Sequence, residues 1–402
     1  MEWLGEVPEH WEVVQLKQFV DIQNGSDHKY VEQAEGYPVM GSGGIFAYAS
    51  EYLYDGESVL LGRKGTIDKP LHVTGRFWTV DTMYWTKINP EASGRFTYFS
   101  ALTIPFNYYS TNTALPSMTK GNLSSHLVAR PPLSEQTQIA SFLDRETEKI
   151  DELVAEQRRL MELLKEKRQA VISHAVTQGL NPKAPMKPSG IEWLGDVPEH
   201  WAVLSYRNVV TRVVVGIAEA ATHAYAEEGV PIVRSTNIKN GGIDQSSMLF
   251  IKSEFAAQLE SKALLAGDIV TTRTGANVGD SAVVPASLHM SQCFTLVIST
   301  PKPESNPHFY NHFINSIPGR LYIQLTAWGS SQPNISVAII QRMHTAAPPR
   351  GEQDAIVAYI ERTSAIFDDL IAEAQRAIDL LQERRTALIS AAVAGQIDVR
   401  KI

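Results

Sequence analysis

Two blocks of this sequence occur twice, and no other feature restricts the fold so strongly. Glu2-Trp3-Leu4-Gly5-Glu6-Val7-Pro8-Glu9-His10-Trp11 returns as Glu192-Trp193-Leu194-Gly195-Asp196-Val197-Pro198-Glu199-His200-Trp201, changed only at Glu6/Asp196, at an offset of 190 (193 − 3). Pro131-Pro132-Leu133-Ser134-Glu135-Gln136 returns as Pro348-Pro349-Arg350-Gly351-Glu352-Gln353 at an offset of 217 (352 − 135), so the second copy holds 27 more residues (217 − 190) between its blocks. The chain is an imperfect tandem duplication. Matched ends imply a job common to both halves, and diverged middles imply a job that differs between them. At 402 residues the chain is also too long for one ordinary domain.

After each Pro-Pro pair the apolar residues fall at three- and four-residue steps. They are Ile139, Phe142, Leu143, Ile150, Leu153, Leu160, Leu164 and Val171 in the first copy. Ile356, Tyr359, Ile360, Phe367, Leu370, Ala377, Leu381 and Leu388 take the same places in the second. This is the seam of an amphipathic helix long enough for a coiled coil, with prolines before it and none inside it. Each helix is expected to end in a basic cluster, Lys165-Glu166-Lys167-Arg168 and Glu383-Arg384-Arg385, which suits a helix C-terminal half through the macrodipole. Gly179, Asn181-Pro182, Pro185 and Pro188 stop the first helix and form a linker.

The middles read as mixed strands and helices. Short β-rich runs such as Ser58-Val59-Leu60-Leu61 and Phe77-Trp78-Thr79-Val80 are broken by glycine turns, and Val230–Arg234, Asp268–Val270 and Phe294–Ile298 match them in the second copy. If the two seams pack together, connectivity makes the helices antiparallel, with a globular domain at each end and an approximate two-fold axis. Ile402 aligns with Pro185, so the halves are expected to close in a ring-like arrangement. The expected fold is α+β, a pseudo-two-fold tandem repeat of two mixed α/β domains separated by two long antiparallel coiled-coil helices. The expected segments are a first domain over 1–134, a helix over 135–180, a linker and second domain over 181–351, and a helix and tail over 352–402.

Composition excludes several classes. The single cysteine, Cys293, leaves no disulfide framework or Cys-rich zinc site, and its apolar run Gln292–Ile298 reads as a buried strand. The acidic start lacks the basic opening and apolar core of a signal peptide, and no apolar stretch approaches the roughly 20 residues that span a bilayer. A cytoplasmic protein is expected. No Asn/Asp-Pro-Pro-aromatic methyltransferase segment, phosphate loop or His-Glu-x-x-His pattern occurs. Neither a catalytic residue, a metal site nor a cofactor is expected. His10 and His200 sit between Glu and Trp in turns, as packing or capping residues, and Asp368-Asp369 reads as solvated helix surface.

These motifs, in this order and duplicated, resemble the specificity subunit of type I restriction-modification systems. The Glu-Trp-Leu-Gly opening, the Pro-Pro-Leu-Ser-Glu-Gln helix entry and the ending Leu388–Arg400 are similar to that family's repeat start, helix entry and C-terminus. Leu61-Gly62-Arg63-Lys64-Gly65-Thr66-Ile67 and Thr272-Arg273-Thr274-Gly275-Ala276-Asn277-Val278-Gly279 resemble the basic-glycine turns of its target-recognition domains. The resemblance spans essentially the whole chain. It implies that each domain reads one half of a split, asymmetric site on double-stranded DNA, and that the helices fix the separation. It further implies two modification subunits docked on the helices, which bind S-adenosylmethionine and methylate adenine, with restriction subunits completing the complex. Leu153, Leu160, Leu164, Leu370, Ile378 and Leu381 are the expected partner-facing helix residues.

For DNA contact the candidates are polar and basic residues in glycine-rich turns, where a missing Cβ lets backbone approach a phosphate. In the first domain these are Arg63, Lys64, Gly65, Thr66 and Lys69; in the second, Arg273, Thr274, Gly275 and Asn277. Arg234, Ser235, Thr236, Asn237 and Lys239 add donors for base edges, arginine for guanine and asparagine for adenine. Ser331, Gln332 and Asn334 complete the set, Pro333 standing in register with Pro116 (333 − 116 = 217). Charge argues against this assignment. Residues 1–129 hold 9 Lys+Arg and 14 Asp+Glu, net −5, and residues 184–346 hold 11 and 12, net −1, within a chain of net charge −8. Phosphate neutralisation normally supplies affinity, so affinity here is expected to come from clamping by partner subunits. Acidity favours the competing class, a non-catalytic coiled-coil adaptor binding proteins or sugars through its end domains.

Overall fold

The matched blocks recur because they meet. The structure, a computed structural model describing residues 4–109, 116–218, 222–239, 241–329 and 332–399, divides into two units. One is Met1–Arg159 with Ala374–Ile402, the other Leu160–Glu373. In the first unit the Trp11 indole donates to Glu135 Oε2 at 2.9 Å, and His10 Nε2 lies 2.9 Å from Glu135 Oε1. In the second, Trp201 donates to Glu352 Oε2 at 3.0 Å and His200 Nε2 lies 2.9 Å from the same oxygen. The adjacent glutamine is buried in both. Gln136 accepts the Ser93 N–H at 2.8 Å and donates to the Pro131 carbonyl at 2.9 Å. Gln353 accepts the Asn306 N–H and donates to the Pro348 carbonyl, both at 2.8 Å. Ser93 and Asn306 are themselves the N-caps of domain helices Gly94–Leu102 and Pro307–Asn315. The recurring sequence is therefore a joint that ties a long helix to the start of its own half and to a domain helix.

An antiparallel strand pair closes each domain beside the joint: Glu12–Gln15 with Leu127–Arg130, and Ala202–Ser205 with His344–Ala347. The enclosed sheets repeat a topology that the sequences hide. In the first domain a four-stranded sheet runs Val20–Asn24, Met83–Ile88, Ser58–Gly62, Leu71–Val73; in the second, Val210–Val215, Val297–Pro301, Ile269–Thr271, Ser281–Val283. A second sheet follows in each, containing one parallel pairing, Val39↔Trp78 and Ile232↔Gln292. The run expected as one buried strand over Gln292–Ile298 is two strands, Gln292–Cys293 and Val297–Pro301, broken between them. Cys293 is fully buried, and burial pushes its thiol up to about 12.

The long helices span Leu133–Gln178 and Arg350–Val393. Their buried and half-buried positions alternate steps of four and three, through Leu143, Thr147, Ile150, Val154, Gln157, Met161, Leu164 and Arg168 in the first. The second shows the same steps 217 residues on, through Ile360, Ser364, Phe367, Ile371, Ala374, Ile378, Leu381 and Arg385. This is a heptad repeat. Within the first unit the two helix segments run antiparallel: Arg385 Nε donates to Asp151 at 3.0 Å, while Ile139 and Leu143 share a core with Ile389 and Val393. Within the second, Arg168 donates to Asp368 at 2.9 Å, while Ala175 and Val176 share a core with Ile356 and Ile360.

Three expectations about the helices change. Leu153, Leu160 and Leu370, read as seam residues, are 45%, 44% and 42% exposed. Val154, Met161 and Ile371 hold the inner places instead, because the seam follows heptad register and not leucine content. Ile378, expected to face a partner, is 3% exposed and lies in the seam, where Leu164 and Leu381 are also half-buried. The basic clusters are not terminal: Arg168 lies ten residues (178 − 168) before its helix ends, beyond the last-turn reach of the dipole. Arg168 and Arg385 turn instead to Asp368 and Asp151. No helix among the described residues is long and apolar enough to cross a membrane.

Candidate nucleic-acid interface

In each domain, backbone hydrogen bonds gather several turns onto one rim of the sheets. After strand Ser58–Gly62 the chain turns through Arg63, Lys64 and Gly65. Arg63 and Lys64 both donate their N–H to the Thr82 carbonyl, at 2.9 and 3.1 Å. From the other side, Gly65 N–H donates to the Pro116 carbonyl at 2.9 Å and Met118 N–H to the Arg63 carbonyl at 2.9 Å. The second domain repeats this clasp, with Gly275 N–H donating to the Pro333 carbonyl at 3.1 Å and Ile335 N–H to the Arg273 carbonyl at 3.0 Å. Gly65 and Gly275 hold φ of +81° and +93°, a conformation that requires glycine in a tight turn. The register between Pro116 and Pro333 is thus a structural one, since the same proline carbonyl holds the same glycine.

A third turn joins each rim. In the first domain Val80 N–H donates to Met40 and Gly25 N–H to Met83, at 3.2 and 3.0 Å, with Asp81 and Thr82 between these pins. In the second, Phe294 N–H donates to Val233 at 2.9 Å and Gly216 N–H to Leu296 at 3.0 Å. Here only Thr295 lies between, and Arg234 follows the Val233 pin directly. Sequence reading missed Asp81, Thr82 and Thr295, because hydropathy carries no signal for a turn set by cross-strand bonds.

The side chains divide into free and committed groups. Lys64, Thr66 and Lys69 are exposed, whereas Arg63 is half-buried, donating Nη1 to the Asp81 carbonyl at 3.2 Å and lying 5.8 Å from the Tyr84 ring centroid. Thr236, Asn277 and Gln332 are exposed; Ser235 and Thr274 are half-buried. Arg273 Nε and Asn334 Oδ1 are buried without a hydrogen-bond partner among the described residues, where the Thr274↔Asn334 bridge joins their two turns. Asn237 is withdrawn from the set of base readers. It is 1% exposed, its Oδ1 accepts the Arg234 N–H at 3.0 Å and its Nδ2 donates to the Asp244 carbonyl at 3.1 Å, so the amide shapes the turn. Lys239 Nζ is held 2.6 Å from Asp244, and this hydrogen bond, with those from Ser246, keeps the Asp244 carboxyl well below its usual range. Ser331 lies outside the described residues.

The rims can offer donors from several turns to a groove, while the acidic balance of each domain remains. The type I restriction modification DNA specificity domain family matches the chain at residues 8–161 and 218–379. The StySPI specificity subunit of Salmonella potsdam is 28% identical over 211 residues, covering 50% of this chain and 44% of that relative, so the match spans less than half of the relative's length. The MjaVIII specificity subunit of Methanocaldococcus jannaschii is 22% identical over 433 residues, covering 98% and 95%. A solved chain from work on complex assembly and conformational transition of the type I R-M system superposes with a TM-score of 0.72 at 16% identity, covering 98% of this chain and 100% of that one.

Proposed function

This chain belongs to the type I restriction modification DNA specificity family, and on that premise we propose that it is the sequence-reading subunit of such a complex, without a catalytic site of its own. Each domain reads one half of a bipartite, asymmetric site on double-stranded DNA. Residues 1–134 form one reader and 181–351, with the linker, the other; 135–180 and 352–402 carry the spacer helices and the tail. One observation carries this reading: an identical clasp, glycine turn to proline loop, presents different side chains on the two rims. Lys64, Thr66 and Lys69 in one domain, and Arg234, Arg273 and Asn277 in the other, are the proposed contacts. Exposed Leu153, Leu160 and Leu370 are the proposed docking points for two S-adenosylmethionine-dependent modification subunits, with restriction subunits joining them in the cytoplasm. Phosphate contacts from those partners supply affinity, and this chain supplies discrimination.

The test is to lengthen both helices by one matched turn of about four residues, about 6 Å at 1.5 Å per residue, and to map adenine methylation by the coexpressed complex. With about 3.4 Å per base pair, the gap between half-sites is expected to grow by one or two base pairs while the half-sites stay the same. An unchanged gap in an active complex rejects the spacer role. Altered half-sites reject the division between readers and helices.

A further inference from the structure

We propose that Thr295 is a base-reading residue of the second domain, an inference that rests on the DNA-recognition reading above. Among the described residues, the positive-φ residues other than glycine are Met290 and Thr295, at 65° and 49°. Threonine is β-branched, and the left-handed region is a true outlier for such a side chain. Glycine or asparagine would hold the same backbone with less strain. The surroundings nevertheless enforce it: Thr295 N–H donates to Ile217, Ile217 N–H to Cys293, Phe294 N–H to Val233 and Gly216 N–H to Leu296, all at 2.8–3.0 Å.

Packing does not explain the threonine. The residue is exposed, and its hydroxyl has no hydrogen bond from the described residues. Its position does explain it. Thr295 follows Phe294, whose N–H is bonded to the carbonyl of Val233, the residue before Arg234, and it precedes the strand Val297–Pro301, whose Val297 pairs with Thr271, two residues before Arg273. A methyl and a hydroxyl are thus carried on a fixed backbone at the rim that also holds the Arg234 and Arg273 turns. In a major groove the methyl suits a thymine methyl and the hydroxyl suits a donor or acceptor on a base edge. Residues kept strained by an over-determined frame are concentrated at functional sites. The first domain has Asp81 and Thr82 at this place, tethered to Arg63, so the two rims present different groups there.

The experiment coexpresses the full chain with its modification subunit and maps the methylated motif for Thr295→Gly, Thr295→Asn and Arg273→Ala. Both Thr295 variants suit the backbone, so melting temperatures are expected to hold or rise. Preference at one base pair of the second half-site is expected to relax about tenfold, with the first half-site and the gap unchanged. If Arg273→Ala alters the second half-site while both Thr295 variants keep the original motif, the Thr295 assignment is overturned and the domain reading stands. If all three keep the original motif, both fall.

Discussion

The two domains share a strand order and close it by different chemistry. Five residues before the glycine-turn arginine stands Ser58 in the first domain (63 − 5) and Asp268 in the second (273 − 5). Ser58 Oγ accepts the Thr86 N–H at 2.9 Å, and the Thr86 hydroxyl accepts the Val59 N–H at 2.9 Å, a neutral exchange. Asp268, with its side chain fully buried, accepts Arg212 Nη2 at 2.7 Å, the Thr300 hydroxyl at 2.7 Å and the Leu265 N–H at 2.9 Å. Arg212 also donates to the Ser261 and Ala263 carbonyls, both at 3.1 Å. A buried ion pair adds little net stability over a neutral closure, because desolvation offsets the attraction. Removing one partner strands the other charge. The same frame is therefore tolerant in one domain and brittle in the other.

That contrast can be broken most directly at its centre. Asp268→Ala is expected to destabilise the second unit by about 3–5 kcal/mol, and Ser58→Ala the first by about 1–2 kcal/mol, measured by urea unfolding. Equal losses would show that burial of charge is not what separates the domains. The joints should behave in the opposite way. Gln136→Ala leaves the half-buried Ser93 N–H unpaired and Gln353→Ala the buried Asn306 N–H, so each is expected to cost about 1–3 kcal/mol, the second no less than the first. A loss confined to one half would mean that the matched blocks do different work.

The smallest effect concerns acid. Burial lowers the His126 imidazole to about 4, and its repeat-mate in the second half is Met343 (126 + 217), as the matching Leu16–His126 and Tyr206–Met343 backbone bonds show. A folded-state value below the usual 6.5 means that the unfolded chain binds the extra proton. Stability is then fully present above about 6.5 and is lost as pH falls from about 6.5 to about 4, at roughly 1.4 kcal/mol per pH unit. His126→Met, which borrows the other half's residue, should flatten that window in melting curves. His312, lowered to about 4 by burial and then by His308 and Arg168, gives the second unit its own acid limb. An unchanged acid slope in His126→Met would show that this imidazole is protonated in the folded protein.

The helices and joints were legible because duplication marks them and a period of three and four residues is a local property. The seam register was not fully legible. Leu153 and Leu370 look like core, yet Val154 and Ile371 are closer to the heptad, which only the whole row of positions reveals. Among the rim residues, the glycine turns and the Pro116/Pro333 register could be read from sequence. Asn237 could not be judged, since an amide that reads a base and one that binds its own turn look the same. Thr295 was hidden inside an apolar run that suggests one strand, and only the bonds to Ile217 and Val233 show the break. Strand order is set by pairings across tens of residues, which no local pattern encodes.

The discontinuity of the first unit has a consequence in time. Its core combines Leu16, Phe19 and Leu143 with Ile389, Ala392 and Val393, whereas the second unit is the unbroken stretch Leu160–Glu373. Domains ordinarily complete in the order of synthesis, the N-terminal one first. Here the ribosome delivers every residue of the second unit before it delivers the strip that finishes the first. The half that begins to fold earliest is the last to close, and until then it exposes the apolar surface that Ile389, Ala392 and Val393 will cover.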